Sequence, residues 1–500
     1  MKFVKGLLNK KVSQWTNKKW YHQRFDGCPY FIHFIAEAEI VTHMDRKKKG
    51  SFNVHYCFFK EGTADWYIDM VEIKDIYSWI IDEGKNDIHF SKTIIKKWDK
   101  DQDLFYKKCA EVGKNDLSKL KDEGLMKLHD DFLQIAINKN SSSSIIDGFA
   151  LGTDELIAEE IKKLCDDSDI KGELRCTDVF SKLTAPNHLS FINEAEIALL
   201  KVANEIKQDP SKKDQLLSNH QKQYFWTSNN YVDDNILSVE HFGKEVENIL
   251  SLDLDIDDYI KKIEGTPSRN KKEKEELMKR LNVPSELKFL IEVSEDFTYW
   301  QDERKKSTFW TTHYFSLILS EISKRKNIPL DLIKYMSPRE VSEIFSKEID
   351  KKALEERRKN CVFYWDKEGH DCVHGNEADE VKEKILGKHD LSDVDDFRGL
   401  TACMGKAVGN VKILRSVKEI NKFEKGDILV SVMTRPDYIP AMKKAAAIVT
   451  DEGGVTCHAA IVSRELGIPC IIGTKIATKV LKDNMKVEVN ANHSWVRIIK

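Results

Sequence analysis

Apolar positions between residues 445 and 473 change period twice. Residues 445–449 are short, apolar and partly β-branched, the composition of a buried strand. Gly453-Gly454 then permits backbone angles and close approaches that a side chain forbids. Beyond the glycines, Ile461, Val462 and Leu466 are the apolar positions of a predicted helix, with His458 at or just before its start. Gly467 stops that helix and Pro469 prevents its continuation. Residues 470–473 resume as a buried strand.

Residues 1–110 read as a small α+β unit. Phe52, Val54, Tyr56 and Phe58 alternate with Asn53, His55 and Cys57, which predicts a half-buried strand. Glu61-Gly62 supplies a turn, and Trp66, Ile68 and Met70 line a second strand. Residues 75–82 and 90–98 read as helical. Residues 111–350 form a mostly helical region, with helices at 156–165, 190–207 and 270–282 and one long helix or two over 287–326. Ser337-Pro338-Arg339-Glu340 is a capping box with proline at the first helical position. The run 141–144, four serines, reads as a polar loop. Residues 351–397 read as a connector: a hairpin around Lys367-Glu368-Gly369, a helix at 377–386 and a polar linker. Residues 398–500 then form one small β/α unit.

Five hundred residues suggest roughly three domains. The net charge of −3 gives no basic field for nucleic acid. Ten cysteines without paired metal spacing read as reduced thiols. The first ten residues lack an apolar run long enough for export, and the apolar run 30–35 is too short to span a bilayer. A cytoplasmic protein with no membrane and no nucleic-acid partner is the expectation.

Three places carry candidate chemistry. A histidine after a glycine turn and at a helix start sits where backbone N–H groups and the helix dipole favour an anion. Its neutral imidazole is a competent nucleophile near pH 7. A lone histidine there would as readily cap the helix. Second, the aromatic clusters at 220–231 and 299–313 include His220, Trp226, Arg304 and His313. They read either as a substrate pocket, with Arg304 clamping an anion, or as core aromatics with solvated neighbours. Third, His370, Asp371, Cys372 and His374 have metal-ligand chemistry, but strand alternation splits them between two faces. No metal site is expected.

The pattern Gly453-Gly454, Thr456, His458, 459–462, 464–469 and Gly473 resembles the phosphohistidine (swivelling, or mobile) domain of phosphoenolpyruvate-utilising enzymes. That family includes phosphoenolpyruvate synthase, pyruvate phosphate dikinase and rifampicin phosphotransferase. The resemblance runs back to about Arg398, through 425–430 and Thr434-Arg435-Pro436-Asp437-Tyr438-Ile439-Pro440, and covers about a fifth of the chain. Cys457 stands where the family often has Ser. The resemblance implies a multidomain α+β chain ending in a β/β/α swivelling domain. It implies phosphorylation of His458, with Gly453, Gly454 and Thr456 positioning the phosphate. Arg464 would either neutralise that phosphate or serve as a structural helix residue.

The function so implied is a dikinase-like phosphotransferase, or its phosphohistidine subunit, moving phosphoryl from ATP or phosphoenolpyruvate to an unidentified small-molecule acceptor. The alternative is a non-enzymatic phosphocarrier that relays phosphate to another protein. Residues 1–397 show neither the family's ATP-grasp domain nor its TIM barrel. A separate ATP-grasp-like protein is therefore the expected donor partner. Mg²⁺ would accompany the nucleotide or phosphoenolpyruvate, and no cofactor has a recognisable binding motif.

Overall fold

The computed structural model describes all residues except 17, 46–50, 88, 167–175, 252–254, 387–395, 404–405, 454–456, 492–494 and 500. The chain divides into two units, Met1–Glu160 with Tyr314–Lys500, and Ile161–His313.

The first unit contains two sheets. Strands β1 (Trp20–Asp26), β2 (Val54–Lys60), β3 (Thr63–Asp69), β4 (Cys361–Asp366) and β5 (Gly369–His374) pair antiparallel in the order β1-β3-β2-β4-β5. Glu61 and Gly62 join β2 to β3 with φ of 48° and 85°. Positive φ at both residues is the turn whose twist suits a tight hairpin. β3 stops before Met70 because the Asp69 side chain accepts the Val71 N–H and caps the helix Met70–Asn86.

The half-buried reading of the strand around 52–58 is corrected: every residue of β2 except Lys60 is buried. Val54, Tyr56 and Phe58 face a core with Leu7, Leu8 and the helix Asn376–Leu386. On the opposite face, His55 lies 2.7 Å from Glu39 of the helix Pro29–Asp45, and Trp66 Nε1–H donates to His55 Nδ1 at 3.1 Å. The alternation thus separates two cores rather than core from water. The hairpin at 361–374 is also more than a connector, since β4 pairs with residues 54–59 of β2 and, with β5, completes the N-terminal sheet.

The polar loop expected at 141–144 is helix instead. The helix Asp122–Ser143 takes in the first three serines and Ser144 is the turn before the helix Ile145–Asp166, and the hydroxyls of Ser141, Ser143 and Ser144 donate back to the carbonyls of Asn138, Asn140 and Ser141. This back-bonding satisfies serines that sequence polarity assigns to solvent. The capping box at Ser337 is present, with both reciprocal bonds made.

The second sheet of this unit contains β6 (Asp396–Arg398), β7 (Leu400–Cys403), β8 (Lys406–Ile413), β9 (Ile428–Ser431), β10 (Ala447–Thr450), β11 (Cys470–Ile472), β12 (Lys486–Asn490) and β13 (Trp495–Ile498). Their order is β6-β13-β12-β8-β9-β10-β11-β7. The central run β8-β9-β10-β11 is parallel. Val411, Ile413, Ile428, Val430, Val449 and Ile471 build its core.

The second unit is helical in its described residues. Helices Phe191–Gln208, Lys213–Tyr224, Val239–Ser251 and Ile256–Glu264 share one apolar core. Phe191, Trp226 and Phe309 form another. Residues 285–326 are one helix of 42 residues, which belongs to this unit up to His313. No helix among the described residues is long and apolar enough to cross a membrane.

Candidate functional site

The site lies at the carboxyl end of the parallel strands, where an open α/β sheet leaves room for a ligand. β10 ends at Thr450, and the chain turns through Asp451, Glu452 and Gly453. Hydrogen bonds on both sides hold this turn. Asp451 and Glu452 N–H groups donate to the carbonyls of Ser431 and Val432 at 3.0 and 2.8 Å. The Thr474 and Lys475 N–H groups donate to the carbonyls of Thr450 and Asp451 at 3.0 and 2.8 Å. The Asp451 carboxylate also accepts the Thr474 hydroxyl and the Thr478 N–H, each at 3.1 Å.

Gly453 has φ of +114°, and a Cβ there would lie 2.7 Å from Cys457 Sγ. The predicted glycine turn is thus doubly required, by backbone angle and by space. The expectations for Gly454 and Thr456 fall outside the described residues. Cys457 is the N-cap of the helix His458–Leu466, and its side chain makes no capping hydrogen bond. His458 is therefore the first helical residue, at the end where unsatisfied amides and the dipole favour an anion. Gly467 ends this helix in the left-handed conformation, φ 66°.

His458 Nδ1 lies 2.9 Å from Thr434 Oγ1. Thr434 is buried in the segment after β9, so the ring is tethered from outside its own helix. When Nδ1–H donates to the threonine, Nε2 is the ring's basic nitrogen and carries the nucleophilic lone pair. The sequence gives no signal for this role of Thr434, because its partner is 24 residues away and local periodicity does not link them. Thr434→Val is expected to slow phosphoryl uptake at His458 roughly tenfold, about one hydrogen bond. Thr434→Ser should keep most of the rate. Initial rates of adduct formation decide it: equal rates for wild type and the valine variant would remove the threonine from the site.

Glu452 is a second group that sequence reasoning missed. Burial raises its carboxyl pKa from 4.5 to about 7, against the opposing pull of Lys475, whose Nζ is 3.1 Å away. Its folded-state pKa is raised, so the stability it contributes is fully present below about pH 4.5 and lost as pH rises through about 7. Glu452→Gln is expected to flatten stability across that window, a difference of at most about 3 kcal/mol. Denaturant midpoints at several pH values measure it, and an unchanged slope would refute it.

Arg464 Nε donates to the Ala402 carbonyl at 3.0 Å, tying the helix to β7. Six residues of helix place its Cα about 9 Å along the axis from that of His458. A structural hydrogen bond is thus the role seen in the fold for the arginine read earlier as a phosphate neutraliser or a helix residue.

The other sequence candidates lie in the helical unit. His220 is buried against Tyr224 and Phe242, each at 4.7 Å between ring centroids. Burial lowers its pKa to about 4, which keeps it neutral. Trp226 is buried with Phe191 and Phe309, and its Nε1–H donates to the Gln223 carbonyl at 2.8 Å. His313 Nδ1 meets Asp234 at 2.9 Å, and its ring packs on Phe225. Phe225 and Trp310 link Trp226 and His313 into one aromatic neighbourhood, whereas His220 belongs to the other core. Arg304 is half-buried on the long helix, where its carbonyl accepts the hydroxyls of Ser307 and Thr308. His370 is buried beside Ser337, 3.1 Å away. Among the described residues no group of three or more His, Cys, Asp or Glu side chains is placed to share a metal ion.

Residues 423–494 match the family model of the PEP-utilising enzyme mobile domain. A probable phosphoenolpyruvate synthase of Archaeoglobus fulgidus is 62% identical over 118 residues, 24% of this chain and 15% of that protein. The phosphoenolpyruvate synthase of Pyrococcus furiosus is 59% identical over 120 residues, 24% of this chain and 14% of that protein. That of Pseudomonas aeruginosa is 48% identical over 99 residues, 19% and 12%. The chain therefore spans only a small fraction of the length of the curated relatives it matches. Among solved structures, Thermococcus kodakaraensis aconitase X is similar over 21% of this chain and 98% of that one, at 22% identity and a TM-score of 0.18.

Proposed function

We propose, from a C-terminal region that carries the mobile domain of phosphoenolpyruvate-utilising enzymes, that this chain is a phosphotransferase component whose His458 takes up a phosphoryl group and passes it on. The observation that carries the reading is His458 at the first position of a helix, with Nδ1 held by Thr434. In the first step Nε2 attacks phosphorus, the bond from phosphorus to the donor oxygen breaks, and that oxygen keeps the electron pair. The first-turn amides offset the negative charge of the phosphoryl group. In the second step an acceptor oxygen attacks the same phosphorus, the Nε2–P bond breaks, and the ring recovers its lone pair. The acceptor proton goes to solvent or to a base of the acceptor site.

The donor site belongs to a separate protein, ATP-grasp-like where the donor is ATP, with phosphoenolpyruvate as the other donor, and the acceptor is a small molecule. Mg²⁺ comes with the donor complex and offsets its phosphate charge. The test incubates the full chain with Mg²⁺ and labelled ATP or phosphoenolpyruvate, alone and with extract of its source cells. Label is expected only with extract, on His458, labile in acid and stable in base. Label from either donor on the chain alone would overturn the divided donor. An adduct on another residue would overturn the reading itself. Passage of the label to a protein, with no labelled small molecule, would replace the enzyme by a phosphocarrier.

A further inference from the structure

The two loops that frame His458 both reach strand β1 of the N-terminal sheet. Arg435 follows Thr434, the residue that tethers the histidine, and its Nη2 donates to Asp26 at the end of β1 at 2.6 Å. Asp437 lies 3.9 Å from the same nitrogen. Arg435 is only 6% exposed, so this charge is withdrawn from water, and such burial is tolerated only with a partner in place. Lys475 belongs to the strand-to-helix loop that straps the Asp451 turn. It holds Glu452 at 3.1 Å and lies 4.7 Å over the ring of Tyr21, near the start of β1. Its φ of +66° is a left-handed backbone that a non-glycine residue adopts only where its surroundings enforce it.

Tyr21 and Asp26 are five residues apart, about 16 Å along a strand. The two contacts thus lie near opposite ends of β1. That strand is the outer member of its sheet, the position whose unpaired edge a folded protein needs to cover. Here the anchoring residue and the tethering residue are chain neighbours, so docking and ring position are linked through one peptide bond.

We propose that β1 is a docking station for the His458 domain and that Arg435–Asp26 is its latch: engaged, it parks the histidine loops on the N-terminal sheet; released, it frees them to meet another site. The proposal uses the phosphotransfer reading only for its consequence. The parking itself is measured without any phosphoryl chemistry, so the two ideas fail separately.

The experiment uses the full chain and diethyl pyrocarbonate, with modification at His458 followed by peptide mass spectrometry and amide exchange followed over 20–26. Asp26→Asn is nearly isosteric and breaks the latch. Arg435→Lys keeps the charge but loses the planar fork that grips a carboxylate. Each is expected to speed His458 modification several-fold and to raise exchange along β1, while 447–450 in the core of the histidine domain stay protected. The double variant should be no faster than the faster single one, because the two substitutions remove one interaction. Wild-type modification and exchange rates in both single variants would overturn the latch. So would additive effects in the double variant, or loss of protection at 447–450, since either would mean general loosening.

Discussion

Replacing His458 with glutamine is expected to abolish the phosphoryl adduct while the domain stays folded. His458 is half-buried at the first helical position with Nε2 withdrawn from water, so some packing is lost while the helix itself is kept. Glutamine can still reach toward Thr434, and it suits a helix start. Its amide nitrogen, however, has a delocalised lone pair and cannot attack phosphorus. Stability should move by no more than about 3 kcal/mol, the usual range of a single substitution. Uptake of label should fall to background under conditions that label wild type stoichiometrically. Thermal unfolding and acid-labile label, measured on the same preparation, separate the two effects. Acid-labile phosphate that persists on the glutamine variant would place the nucleophile elsewhere.

Gly453→Ala is expected to damage both fold and uptake. The methyl group would lie 2.7 Å from Cys457 Sγ and 3.1 Å from Cys457 Cβ, on a backbone with φ of +114°. Strain of this kind costs about 1–3 kcal/mol, and overpacking costs a similar amount. A total of about 2–6 kcal/mol follows. The relief of that strain would push the N-cap cysteine, and with it the helix start that presents His458. Adding Cys457→Ala should relieve the clash with Sγ but neither the 3.1 Å contact with Cβ nor the backbone part. Denaturant titration of the two variants therefore divides the loss into its causes. An alanine variant with wild-type midpoint and wild-type uptake would show that the turn tolerates a side chain and that its glycine is incidental.

The histidine turn was legible because its signals are local. Gly453, Gly467 and Pro469 each constrain the backbone where they stand, and the apolar positions between them have one period. The partners of the site were not legible. Thr434, Lys475 and Asp26 reach their places through strand order and through contact between sheets, and neither leaves a mark on neighbouring residues. The same reason explains β2. Its alternation of Val54, Tyr56 and Phe58 with His55 and Cys57 is that of a strand with one wet face. A buried Glu39 and a Trp66 indole supply the polar partners that water would otherwise give. The serines at 141–144 misled for a related cause: helix carbonyls satisfied hydroxyls that composition assigns to solvent.

The pairing of β2 with β4 sets a timetable for synthesis. β2 ends at Lys60 and β4 begins at Cys361. A ribosome adding roughly 5–20 residues per second needs on the order of 15–60 s to make the stretch between them. Throughout that interval a nascent sheet of β1, β3 and β2 exposes the apolar strand Val54–Lys60 as its open edge. Such an edge invites pairing with other chains. The growing polypeptide is thus a client for holding chaperones for most of its translation, and a ribosome that stalls before residue 361 leaves an aggregation-prone product.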